Sequence, residues 1–204
     1  MKKIPTLFKR EYENHKVVGI TDEVTPGCEI VLEGRCSATI KMDGSACAII
    51  DGVFYKRYDA KKGKKIPENA TKCQDEPDPI TGHMPCWVPI DEDNPADKWF
   101  VEARKEYINP SVPNVMPGKL YDGTYEAVGP HFNGNNHHLI KDTLVRHGIF
   151  IIDELSKKPL TFEMIRDFLS QNYIEGVVFW TIKPCKPICK IKRSDFGFEW
   201  GNKR

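Results

Sequence analysis

Residues 37–57 read SATIKMDGSACAIIDGVFYKR, and the fold class turns on how that stretch is parsed. Ser37–Ile40 form an apolar β-type run that ends on Lys41, and the chain then goes straight into Met42, Asp43 and Gly44. Beyond it, Ala46–Ile50 and Val53–Arg57 are rich in β-formers and are joined by Asp51-Gly52, the pair that a two-residue type I′ turn prefers. The stretch therefore predicts a strand closing on a lysine, a turn, and a hairpin. Lysine is the longest and most flexible cation in the chain, so its placement at a rigid strand end rather than on an open surface asks what the amine is held for.

Working outward, residues 59–95 are rich in Pro, Asp, Glu and Lys with little periodicity. QDEPDPITGHMPCWVP reads as a long structured loop anchored by Met84, Trp87 and Val88. NPADKWFVEARKEYI (94–108) predicts a helix, with Asn94 as cap, Pro95 at its first position, and Trp99, Phe100, Ala103 and Tyr107 on one face. GTYEAVG (123–129) and GIFIIDEL (148–155) are short apolar runs bounded by glycine or turn residues, and predict strands. TFEMIRDFLSQNY (161–173) predicts a second helix, capped by Thr161 and burying Phe162, Ile165, Phe168 and Leu169. IEGVVFWTI (174–182) and ICKIKRSDF (188–196) follow as strands, and in the second Lys190 and Lys192 project to the same side. Many strands with two or three helices give an α+β class with a largely antiparallel sheet. No boundary or repeat stands out, so the expectation is a single domain over residues 1–204.

The formal net charge of +1 conceals blocks: residues 56–65 hold six Lys/Arg against one Asp, residues 75–97 hold seven acids and no Lys or Arg, and the tail from Lys183 is basic again. Such blocks are commonly solvated loops, but two basic segments flanking one site would suit a phosphate-bearing partner. MKKIPTLFKR has charge without an apolar core, and no run approaches a membrane span. Neither a signal peptide nor a membrane segment is expected, and the expected location is cytoplasmic. Seven scattered cysteines fit reduced thiols. Cys73, His83 and Cys86, or Cys185 with Cys189, raise a zinc site, but no paired CxxC completes the usual four-ligand cage.

Taken singly, the remaining motifs are ordinary: KxDG, EG before a β run and KxK each occur on solvated surfaces. Their order is more specific. KMDG at 41 is followed by Arg57, YEAVG at 125, FIIDE at 150, EGVV at 175 and KIKRSDF at 190. This series resembles the ordered motifs of the covalent nucleotidyltransferases, the superfamily of ATP-dependent DNA and RNA ligases and messenger RNA capping enzymes, across nearly the whole chain. The resemblance implies an ATP-grasp-like adenylation fold in which Lys41, next to Ile40 in the ATP site, attacks the α-phosphate of ATP and forms a lysyl-adenylate. It implies Arg57 at the ribose and later at the incoming phosphate end, Glu126 on the ribose hydroxyl, Glu175 on a divalent cation, Mg²⁺ or Mn²⁺, and Lys190 and Lys192 on the α-phosphate. An amine attacks only when neutral, and nearby cations favour that form. Such family members often place an aromatic side chain over the adenine just before the strand's Asp, where this chain has Ile152, with Phe150 two residues earlier. Two residues apart in a strand share a face, so either could cover the base.

Twelve residues follow Lys192, too few for the OB-fold that DNA ligases and capping enzymes carry there, so the expectation is a catalytic domain without an OB-fold. EPDPITGH…CWVP, GTYEAVGPHFNGN, RHG and EGVVFW most resemble the small ATP-dependent 5′ to 3′ RNA ligases, the group that includes vertebrate RNA ligase 1. That resemblance implies an RNA partner with a 5′-phosphate and a 3′-hydroxyl, and no membrane or obligate protein partner. Still open are a DNA nick-sealing ligase or guanylyltransferase, a non-catalytic RNA-binding module of the same fold, and a zinc-dependent interaction protein.

Overall fold

The computed structural model describes residues 1–14, 16–107 and 121–201. It is a mixed α+β structure with mostly antiparallel sheets and few helices, and it divides into two compact units. The first comprises residues 1–3 and 43–147, the second residues 4–42 and 148–204.

In the first unit, β4 (Ser45–Ile50), β5 (Val53–Ala60), β6 (Thr71–Lys72), β7 (Met84–Pro89), β8 (Gly123–Val128) and β9 (Thr143–Arg146) form a six-stranded sheet in the order β6-β7-β5-β4-β8-β9. The Asp51-Gly52 turn joins β4 to β5 as expected, with φ of 51° and 76°, the left-handed pair that a type I′ turn requires. Asn94 caps a short 3-10 turn, Pro95–Asp97, by accepting from Ala96 N, and α2 (Lys98–Lys105) continues it. Ile108, the last residue of the predicted helix, lies outside the described residues. Ala103, Tyr107, Trp99 and Phe100 of this segment pack with Cys47, Ile49, Phe54, Tyr125, Ala127 and Leu144 of the sheet to form the unit's core.

The second unit holds a two-stranded sheet, β1 (Phe8–Glu13) with β2 (Lys16–Val24), and a three-stranded sheet in the order β11-β10-β3. The latter is built from β3 (Cys36–Lys41), β10 (Gly176–Thr181) and β11 (Pro187–Lys192). A single helical turn, α1 (Glu29–Leu32), and α3 (Phe162–Gln171) pack with these strands. Thr161 caps α3 by accepting from Met164 N at 3.2 Å, a contact of the kind worth about 1 kcal/mol. Ile165 and Leu169 are buried among Leu7, Phe8, Val31, Ala38, Val177, Phe179 and Ile191.

The strand expected over GIFIIDEL is not formed. Ile151 makes an isolated bridge to Thr39, and Asp153–Leu155 turn as a 3-10 helix. Ile40 N donates to Phe150 O at 2.9 Å and Ile152 N to Ala38 O at 2.9 Å, so the segment satisfies the open edge of β3 for three residues and then leaves it. Among the described residues, no helix is long and apolar enough to cross a membrane.

Candidate active site

Alternation in the three-stranded sheet separates a core face from a second face that carries the lysines at one end and Val178 and Trp180 along it. Ala38, Val177, Phe179, Cys189 and Ile191 point into the core. Lys41, Lys190 and Lys192 belong to the other set. The register places Lys41 opposite Gly176 and Gly176 opposite Lys192, so the two lysines flank one glycine across three strands. A Cβ at Gly176 would lie 2.2 Å from Ile191 O and 2.9 Å from Lys192 Cα, so only glycine lets β11 approach this closely.

The residue before that glycine supplies the counter-charge. Glu175 is buried, and its carboxylate takes both ammonium groups: Lys41 Nζ donates to Oε2 at 2.5 Å, and Lys192 Nζ lies 2.7 Å from Oε1. Among the described residues, Lys190 makes no such bridge. Burial, and then the neighbouring Lys41, Lys192 and Arg10, push it down from 10.5 to about 8, with Glu175 opposing. The chain thus keeps three lysines around one carboxylate, an excess of positive charge that suits an anion.

That excess has a stability cost with a defined sign. Protonated Lys190 is disfavoured in the folded state, so the cost is fully present below pH 8 and is relieved as pH rises toward 10.5, where the unfolded chain still binds the proton. A drop of this size corresponds to about 3 kcal/mol. Lys190→Met is therefore expected to stabilise the protein at pH 7 by roughly 2 kcal/mol, with the gain shrinking by pH 10. Urea unfolding at the two pH values measures it, and an unchanged or lower midpoint at pH 7 would refute the assignment.

Phe150 and Ile152 do not share an environment. Ile152 is 5% exposed in the core, whereas Phe150 is 41% exposed, because the segment leaves β3 before a strand alternation is established. Ile40, between the backbone contact to Phe150 and Lys41, packs partly against the core.

The other predicted residues lie in the first unit. Glu126, on β8, is largely buried; Oε1 accepts from Gly44 N at 3.1 Å, and Oε2 lies 3.0 Å from His147 Nε2. His147 Nδ1 is 2.9 Å from Thr124 Oγ1, which fixes the imidazole between the two. Asp43, buried, accepts from Asn136 Nδ2 at 2.7 Å and from Asn133 Nδ2, and its own N–H donates to His137 Nε2 at 2.9 Å. Arg57, on β5, donates to Met1 O at 2.6 Å and to Asp59 at 2.8 Å, and lies 5.7 Å from the Trp87 ring centre.

The basic segments are less free than their composition implies. In 56–65, Lys56 pairs with buried Asp97 and Lys65 with Glu68, while Lys61, Lys62 and Lys64 are exposed. In 183–204, Arg193 donates to Asn172 O and Glu199 O, Lys183 and Lys186 are exposed, and residues 202–204 lie outside the described residues. Cys185 is exposed and Cys189 buried, and among the described residues no three His, Cys, Asp or Glu side chains are grouped to hold a metal.

Arg10 lies outside the ordered motifs, and Asp195, though inside KIKRSDF, carries no role in the resemblance. Arg10 Nε and Nη2 donate to Asp195 Oδ1 at 3.0 and 2.8 Å, and Asp195 Oδ2 accepts from Lys192 N at 2.8 Å. The available signal was an Asp three residues after a strand-ending Lys, the spacing of a capping box. No protein-family model matches the chain, and no curated protein matches it.

Proposed function

We propose that the protein is an ATP-dependent RNA ligase of the nucleotidyltransferase fold, which charges Lys41 with AMP, passes the AMP to an RNA 5′-phosphate, and joins that end to a 3′-hydroxyl with release of AMP. The observation that carries this reading is the set Lys41, Glu175, Lys190 and Lys192, with one carboxylate shared between the strand-ending lysine and the last lysine of β11. Three ammonium groups converging on one face answer the charge of a triphosphate, and a strand end holds the attacking amine in place.

In this reading Lys41 Nζ attacks as the free base, and pyrophosphate leaves in line. Before attack Nζ must give up a proton, and of its hydrogen-bond acceptors, Glu175 Oε2 at 2.5 Å and Met42 O at 3.5 Å, the carboxylate is the one that can take it. Lys190 and Lys192 oppose the charge that builds on the α-phosphate. Phe150, the exposed member of its pair, covers the adenine; within the first unit, the Glu126 rotamer is held by His147 and Gly44 N. A Mg²⁺-class cation commonly takes one or two protein carboxylates and completes its shell with substrate phosphates and water; Glu175 would be its protein ligand here once a lysine ammonium turns from one of its oxygens to the phosphates. Such a cation supplies charge neutralisation on the triphosphate.

The test uses matched nicked and single-stranded substrates that differ only in sugar and end chemistry, with adenylated RNA followed on a gel. Sealing is expected with a 5′-phosphate and a 3′-hydroxyl, not with a 5′-hydroxyl or a 3′-phosphate. A ribose at the attacking end is expected to be preferred, since its 2′-hydroxyl distinguishes RNA from DNA. Equal sealing of all-DNA ends would move the assignment to a DNA ligase, and uptake of GMP in place of AMP to a guanylyltransferase.

A further inference from the structure

The backbone of β11 is held at both of its lysines by one short stretch near the start of the second unit. Lys190 N donates to Pro5 O at 3.0 Å, and Leu7 N donates to Lys190 O at 2.8 Å, so both backbone polar groups of that residue are fixed. Three residues later in the same stretch, Arg10 reaches Asp195, and Asp195 holds Lys192 N. Asp195 is 4% exposed. A buried carboxylate without a partner would be costly, and here the guanidinium supplies the partner while the second oxygen fixes the strand's last N–H.

We propose that Arg10 is a positioning residue for a triphosphate-binding pair, Lys190 and Lys192, acting through Asp195 on the backbone of Lys192. The identity of the anion rests on the ligase reading; the clamp itself does not. Asp195 offsets much of the Arg10 charge, so although Arg10 is one of the cations that push Lys190 down, its larger contribution is geometric. Lys192 also needs its backbone fixed for a second reason: its side chain already bends to Glu175, and the same end of the strand turns at once into the 3-10 segment Arg193–Phe196. Without the clamp, Lys192 keeps its register with Gly176 and its bridge to Glu175, but its N–H loses the carboxylate that ties the strand end to the turn after it.

A charge-only role and a geometric role differ at one substitution. Arg10→Lys keeps the positive charge but gives up the planar fork that places Nε and Nη2 together on Asp195. The probe is inorganic tripolyphosphate, with calorimetric titration in the absence of divalent metal, on the wild-type chain, Arg10→Lys and Arg10→Gln. Amide exchange at Lys192 and the thermal midpoint are measured alongside. Both variants are expected to bind tripolyphosphate about tenfold more weakly, the loss expected when a hydrogen bond to a charged group is removed. They are also expected to exchange the Lys192 amide faster, while remaining folded at the titration temperature.

Arg10→Lys binding tripolyphosphate as the wild type does, whatever its melting temperature or amide exchange, overturns the proposal, because the clamp would then be structural only. Failure of the wild-type chain to bind tripolyphosphate overturns it as well. A wild-type chain that binds the anion, loses affinity on Arg10→Lys, and yet never takes up AMP supports the clamp while removing the ligase reading. Normal AMP uptake with unchanged tripolyphosphate affinity in the variants removes the clamp alone.

Discussion

Incubated with ATP and Mg²⁺, the wild-type chain is expected to gain the mass of one covalent AMP, and Lys41→Ala none. The difference is all-or-none because the reaction stores AMP on a particular nitrogen. Lys190 and Lys192 are amines too, but they extend from β11, and in the proposed mechanism they lie beside the phosphate rather than opposite the leaving pyrophosphate. Lys41→Arg should fail as completely, since a guanidinium stays protonated and does not attack. The fold should survive both changes. Lys41 lies at the end of its strand, and Lys192 remains against Glu175 when it is removed. Intact-mass measurement reads the result directly. An adduct on Lys41→Ala would place the nucleophile elsewhere, and no adduct on the folded wild-type chain would remove the adenylation chemistry.

What could be seen in the sequence was whatever short-range stereochemistry encodes. Asp51-Gly52 specifies its turn through the backbone angles that only such residues adopt cheaply, and Thr161 caps a helix with a hydroxyl oxygen that accepts from the N–H three residues on. The alternation Cys189, Lys190, Ile191, Lys192 sorts its own faces. GIFIIDEL misled because a short apolar run is equally compatible with a strand and with a segment that touches an edge and turns inward. Here the bury-or-expose decision between Phe150 and Ile152 was made by the core beneath them. The ion pairs were out of reach for a different reason. Lys41 and Glu175 are 134 residues apart in the chain, and Arg10 and Asp195 are 185 apart. Neither partner carries a local mark of the other. The motif order located Glu175 without revealing that it is the buried counter-ion of two lysines, and nothing local indicated that His147 would hold Glu126.

That role for Glu175 changes what its removal should do. A metal ligand on a polar surface can be lost with the fold untouched, but Glu175 is 4% exposed and faces Lys41 and Lys192, with Lys190 beside them. Glu175→Ala leaves these cations facing one another. Taking one partner from a buried pair commonly costs 3–5 kcal/mol, and because both lysines are partly exposed, about 2 kcal/mol is the expected loss of stability here. Adenylation should fall below detection, since both the proton acceptor beside Lys41 and the carboxylate for the cation are gone. Anion binding should move the other way. With its negative charge deleted, the cluster is expected to bind inorganic tripolyphosphate more tightly than the wild-type chain in metal-free buffer, and saturating tripolyphosphate should recover much of the lost stability, since a ligand bound only by the folded state stabilises it. Glu175→Gln, which keeps the shape and one acceptor, should lie between on stability and remain inactive. Urea midpoints with and without tripolyphosphate, beside the intact-mass assay, separate the possibilities. A fully active Glu175→Ala would remove Glu175 from the chemistry. A variant that binds the anion more weakly than the wild type would show that the carboxylate organises the lysines rather than competing with their ligand.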